Sequence, residues 1–353
     1  MYKIKNIIQN INFFVVSDKH LVYKQNDNII FKNKILEKEV KDDIILTGDN
    51  IFYNKGNGFI ARKLINNNKA HFDNYAILNI KPMYLQKGII IDINDNQLYL
   101  FDKFNFNKEK INIIDYNWGI IFLSQEYILI NDINKISSYH IPTAHPLWQF
   151  DLSQLAPPKF YSALFEKEDY KVEKIIGILD DKVWVALNNY TLIALDIHTG
   201  KLVYQLSEIP GFDYAFGNII PAPKSMKIDK KRNLLYGLAW EYYWEIDPQT
   251  GKIQMWDLHD YILSLKLRND LILNYVKIDD VIYFASRPVS PHESQIAGFD
   301  VNTKKIVWQH KFTPGKNGKI PMINDVKGSE KLLAVLDMEH NLYVFEREEM
   351  QNT

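Results

Sequence analysis

The fold class this 353-residue sequence predicts is all-β: a propeller of four-stranded antiparallel blades. Three observations predict it. Helical i, i+3, i+4 spacing is nearly absent, and short runs rich in Ile, Val, Tyr, Phe and Trp are cut by Asp, Asn, Gly and Lys instead. A strand–turn–strand phrase recurs eight times, beginning near Phe13, Asp43, Met83, Ile120, Ile175, Met226, Tyr275 and Asn324. A longer phrase returns three times, as TLIALDIHTGKLVYQL (191–206), WEIDPQTGKIQMW (244–256) and AGFDVNTKKIVWQ (297–309).

In the short phrase the turns carry Asp, Asn, Ser, Gly or Lys. Most of these residues tolerate positive φ or hydrogen-bond their own backbone. The pairs Asp180–Asp181 and Asp279–Asp280 fall in such hairpins and are read as turn formers, not calcium ligands. A third strand follows most copies and ends in an acid at one register: Asp102, Asp196, Asp247, Asp300 and Glu346. Their common place predicts turn capping, whereas a catalytic pair needs two acids facing one bond. Gly200 and Gly251 stand where the chain must reverse, and Lys304 replaces that glycine in the third copy. Tyr204, Trp256 and Trp308 are expected to pack between neighbouring sheets.

Each unit spans roughly 40–50 residues, the period of a propeller blade. The count predicts eight blades; the first two units are short, and seven is the alternative. The last unit has three strands, and residues 2–9, YKIKNIIQ, are expected to complete it beside Asn341–Glu346, so that residues 1–353 form a single propeller domain.

The phrases ALDIHTGKLVY, EIDPQTGKIQMW and GFDVNTKKIVW resemble the blade motif of quinoprotein-like (PQQ-like) β-propeller repeats, Ala-x-Asp-x-x-Thr-Gly-x-x-x-Trp. The likeness is clear over about residues 180–310 and degenerate elsewhere. It implies the propeller fold and leaves function open, because the repeat serves enzymes, scaffolds and assembly factors. Many alcohol-oxidising members carry a vicinal disulfide near the cofactor and work in the periplasm. This chain has no cysteine and no evident signal segment, so no cofactor is expected.

Blade topology puts first–second and third–fourth strand turns at one end, and the remaining connections at the other. The first set is tight throughout. The long segments, 141–171, 208–224, 258–271, 286–295 and 312–322, belong to the second. Long loops in compact domains tend to carry function. The candidate partner-binding residues there are Trp148, Phe160, Tyr161, Phe212, Tyr214, Phe216, Trp240, Tyr261, Arg287 and His292, with Phe165 and Tyr170 beside them. Aromatic rings with an arginine have the composition of a binding hot spot. The competing reading is that these rings pack the loops onto the blades.

Composition narrows the function classes. Net charge is −1 and Arg occurs only at 62, 232, 268, 287 and 347, so the basic excess of a nucleic-acid binder is missing. Without cysteine there is no thiolate nucleophile or Cys-bearing zinc site. His140 and His145 flank IPTA without a third ligand, and no metal is expected. No Gly-rich phosphate loop or nucleophile elbow is present, and TPGKNGK at 313–319 lacks the spacing of a phosphate cradle. No apolar run reaches the roughly 18 residues of a membrane span. The expectation is a cytoplasmic, non-enzymatic bacterial module that holds a protein partner through its loop-rich face, as a scaffold or a toxin-immunity protein. The alternative is a hydrolase or lyase acting on a sugar or peptide at the channel mouth.

Overall fold

The computed structural model describes residues 2–347 apart from 18–19, 41–43, 57, 67, 74, 80–86, 93, 95–97, 104, 112–120, 125, 133, 142–144, 158–168, 213–217, 269–274, 287–293, 315–317 and 319. Eight four-stranded antiparallel sheets stand around a common axis. Their first strands, Ile11–Val16, Ile44–Thr47, Tyr75–Asn79, Ile121–Leu123, Val172–Leu179, Lys227–Asp229, Tyr275–Ile278 and Ile323–Gly328, approach one another along that axis. In blades one to seven the remaining strands follow outward in chain order, and in blade eight the outermost strand is Tyr2–Ile8.

Blade eight closes the ring as the sequence predicts. Tyr2–Ile8 pairs antiparallel with Leu342–Arg347, from Tyr2 opposite Arg347 to Ile8 opposite Leu342. The donated strand removes the open edge that Leu342–Arg347 would otherwise present. Tyr2 anchors it: the phenol donates to Ser329 O at 2.8 Å and Glu330 O at 3.1 Å, and the ring meets Tyr283 edge-on at 5.3 Å. In blade three the first strand is Tyr75–Asn79, upstream of the Met83 start expected from the sequence. Lys87–Asp92 is its second strand, and residues 80–86 lie outside the described ones. The apolar run at 89–91 marks a single strand where the sequence reading had seen the end of a hairpin.

The core is a ring of seams. Eight hydrophobic clusters lie one at each blade–blade junction, blade eight against blade one included. A sheet packed on both faces needs apolar residues at consecutive positions rather than alternate ones. Strand Lys182–Leu187 shows this, with Val183 to Leu187 all buried: Val183, Val185 and Leu187 face blade four, and Trp184 faces blade six.

The recurring phrase builds the same turn each time. Asp196 Oδ1 accepts His198 N–H at 3.1 Å, Thr199 N–H at 2.7 Å and the Thr199 hydroxyl at 2.7 Å. Asp247 and Asp300 repeat the arrangement with Gln249 and Thr250, and with Asn302 and Thr303. The Thr199 hydroxyl, then the backbone bonds, hold the exposed Asp196 carboxyl below its usual range. Gly200 and Gly251 have φ of +69° and +68°. Lys304 adopts +57°, so the third copy keeps the left-handed backbone without glycine.

Each turn is also a seat for the blade before it. Trp148, on the fourth strand of blade four, lies on Gly200; a Cβ there would stand 2.6 Å from the indole. Tyr204 of blade five lies on Gly251. Trp256 of blade six meets the Lys304 ammonium, 4.0 Å from the ring centroid, in a cation–π contact. Trp308 of blade seven reaches the closing strand, donating its indole N–H to Tyr2 O at 3.2 Å.

Candidate functional site

The elaborated end of blades five and six is assembled from two tight second–third strand turns and the loop between the blades. Asn188–Tyr190 joins Lys182–Leu187 to Thr191–Asp196, and Trp240–Glu241 joins Leu234–Ala239 to Tyr242–Ile246. The first is a three-residue turn with φ of +57° at Asn189 and +56° at Tyr190, and the second a two-residue turn with φ of +52° and +67°. Left-handed positions in such turns favour Gly or Asn, because a bulky side chain at positive φ clashes with its own backbone. Here the strained positions hold a tyrosine and a tryptophan. Their rings lie 6.2 Å apart, edge to face, across the seam. Beside them Phe212 meets Tyr242 edge-on at 5.6 Å. All four rings are half-buried, and Phe212, Trp240 and Tyr242 pack on the seam cluster.

Charge is confined beside this quartet. Glu241 is buried and accepts from, or pairs with, His259 Nδ1. Asp257 Oδ1 accepts the His259 backbone N–H at 2.9 Å. Burial first, and then Asp257 and Glu241, push the Tyr242 phenol above its ordinary range, so it presents a neutral O–H at physiological pH.

The sequence-predicted residues separate into three groups. Phe212 and Trp240 join the quartet. Phe160, Tyr161, Phe165, Tyr214, Phe216, Arg287 and His292 lie outside the described residues. Trp148, Tyr170 and Tyr261 have structural posts. Trp148 sits toward the opposite, plain end, buried, with its indole N–H donating to Ile197 O at 2.6 Å. Tyr170 is buried and donates to Ala156 O at 3.0 Å. Tyr261, on the short helix His259–Ser264, accepts the Ile306 N–H at 2.9 Å on the outermost strand of blade seven. That N–H has no further strand to pair with, and the phenol covers it. Tyr190 and Tyr242 were missed. The available signal was Tyr190 following Asn188–Asn189 in a hairpin turn, where glycine is expected.

Among the described residues no group of three or more His, Cys, Asp or Glu could hold a metal ion. His140 and His145 close the third–fourth strand turn of blade four through a backbone bond, His140 N–H to His145 O at 3.1 Å. Among the described residues no helix is long and apolar enough to cross a membrane.

Comparison with known proteins places this geometry. No protein-family model matches the chain, and no curated protein matches it in sequence. The crystal structure of BamB from Moraxella catarrhalis superposes with a TM-score of 0.57 at 11% identity, over 98% of this chain and all of that one. The computationally designed protein Ika8 superposes with a TM-score of 0.50 at 11% identity, over 96% of each chain. The likeness is one of fold. The resemblance read from the blade phrases holds at that level, and with 944 solved chains matching, the architecture is too widely shared to name a task.

Proposed function

We propose that this propeller is a non-catalytic binding module that holds a protein partner on the elaborated end of blades five and six, with Tyr190, Phe212, Trp240 and Tyr242 at the centre of contact. One observation carries the reading. Tyr190 and Trp240 occupy left-handed turn positions that cost about 1–3 kcal/mol each for residues of this size. The hairpins would close more easily with Asn or Gly, so the rings do something the fold itself does not require. Rigid, half-desolvated aromatics are what a protein interface places at its centre. A scaffold or a toxin-blocking immunity protein would use such a face, and the partner decides between them.

The double variant Tyr190→Gly/Trp240→Asn relieves both turns. It is expected to keep or raise the melting temperature while losing a partner that the unmodified chain retains from native lysate. A variant that is equally stable and retains every partner would overturn the assignment. Hydrolysis at the channel mouth has less support: the charged groups lining the described axial cavity are mainly lysines, and its buried acid, Asp229, is held 2.8 Å from Lys277.

A further inference from the structure

A second feature lies on the axis, away from the aromatic end. A cavity of about 630 Å³ opens against the first strands of blades four to seven. Its charged lining is Lys174, Lys227, Lys230 and Lys277 with Asp229 and Asp279. Three of these charges are already matched, since Asp229 holds Lys277 at 2.8 Å and Asp279 holds Arg347 at 2.8 Å.

Lys174 and Lys227 are held differently. Lys174 Nζ donates to two carbonyls of the approach to blade six, Lys224 O and Met226 O, both at 3.0 Å. Lys227 Nζ donates to Tyr275 O in blade seven and stands 4.1 Å from the centroid of the Tyr275 ring. Among the described residues neither ammonium has a carboxylate within ion-pair distance. The contrast is Lys327 of blade eight, which makes the same reach, to Phe14 O at 2.8 Å, with Asp325 beside it at 2.8 Å. An ammonium has three N–H donors. Lys174 therefore keeps one and Lys227 two beyond their carbonyl bonds. Burial, and for Lys227 the nearby Lys174 charge, lowers both amines, Lys227 to about 8. Asp325, which pairs with Lys327, acts on Lys227 only from beyond ion-pair distance, and two half-hidden cations that repel each other with no carboxylate in contact are costly unless an anion visits them.

We propose that the axial cavity is a site for a small phosphate-bearing anion with charge on more than one centre, held by Lys174 and Lys227. Among the described residues no arginine lines it, so the flat fork that suits a single carboxylate is missing there. Separate ammonium groups on successive blades suit the spread charge of a pyrophosphate or a phosphorylated metabolite instead. The site is independent of the aromatic end, and either can fail alone.

Calorimetric titration of the full chain with pyrophosphate at low salt tests this. Binding is expected, with affinity falling roughly tenfold or more in Lys174→Met and in Lys227→Met, as for loss of one charge-assisted hydrogen bond, and unchanged in Lys201→Met at the exposed plain-end turn. Because both lysines also join neighbouring blades, a second measurement uses the unmodified chain. Pyrophosphate should slow acetylation of Lys174 and Lys227, read by mass spectrometry, and leave Lys201 alone. No heat and no protection, or equal protection at Lys201, overturns the site. The same protection by citrate at equal concentration overturns its assignment to phosphate chemistry.

Discussion

The two ends of the propeller solve the same task, reversing the chain between strands, in opposite ways. At the plain end one turn is reused: an acid caps it, a left-handed residue closes it, and the aromatic of the blade before rests on it. At the elaborated end blades five and six put Tyr190 and Trp240 into turns that disfavour them, and neighbouring loops differ in length and content. Repetition at one end is what stability needs, because each seat serves the adjoining seam. Departure at the other is where selection for something besides folding can act.

Removing the closing strand should affect this arrangement most. Deleting residues 2–8 leaves Trp308 without its seat and the edge of Leu342–Arg347 open; loss of the cooperative thermal transition is expected, and an unchanged melt would show that blade eight needs no donor. Tyr2→Ala keeps the strand and should still cost about 3–5 kcal/mol in denaturant unfolding, as for other buried rings cut to alanine.

The seats come next. Gly200→Ala meets both a positive φ and the Trp148 indole, and about 2–3 kcal/mol of destabilisation is expected. Gly251→Ala, whose Cβ would stand 3.0 Å from Tyr204, should cost less. Lys304→Gly runs the other way: it relaxes the backbone and loses the contacts with Trp256 and with Glu245 at 3.3 Å, so a net change within about 1 kcal/mol is expected. A large loss there would show that the third seat depends on the lysine itself.

Stability should also depend on pH. Burial lowers Lys103, at a plain-end turn, and Lys227, on the axis, to about 8 each. Between pH 8 and 10.5 the unfolded chain holds protons that the folded chain has shed, so these two groups make stability rise with pH across that window. Above pH 10 the buried Tyr53, Tyr236 and Tyr243 oppose it, since burial raises their phenols and only the unfolded chain ionises. Denaturant melts at pH 8, 9 and 10 should show the rise, with Lys103→Met and Lys227→Met each reducing it and the turn variant Tyr190→Gly/Trp240→Asn leaving it unchanged.

Much of the fold was legible in the sequence, because its signals are local. Asp196, Asp247 and Asp300 bond to residues two and three positions on, and the consecutive apolar run Val183–Leu187 announces a strand buried on both faces. The candidate site was only partly legible. Phe212 and Trp240 were marked by loop length, yet Trp148 carried the same aromatic character and is a seam residue instead. Nothing within reach of residue 148 in the chain says so, since its seat is Gly200 on the next blade.

The amino-acid sequence by itself determined the blade unit, its eightfold repetition, the capped turns and the closing role of the first strand. All of these follow from spacing and from contacts across a few residues. Tertiary structure alone decided which aromatics became seats and which remained half-exposed, why Lys304 can stand where its sister copies need glycine, and that Lys174 and Lys227 would converge on one cavity. Each depends on a partner roughly one blade, 40–50 residues, away, and the sheet-on-sheet packing of neighbouring blades is what brings the two together.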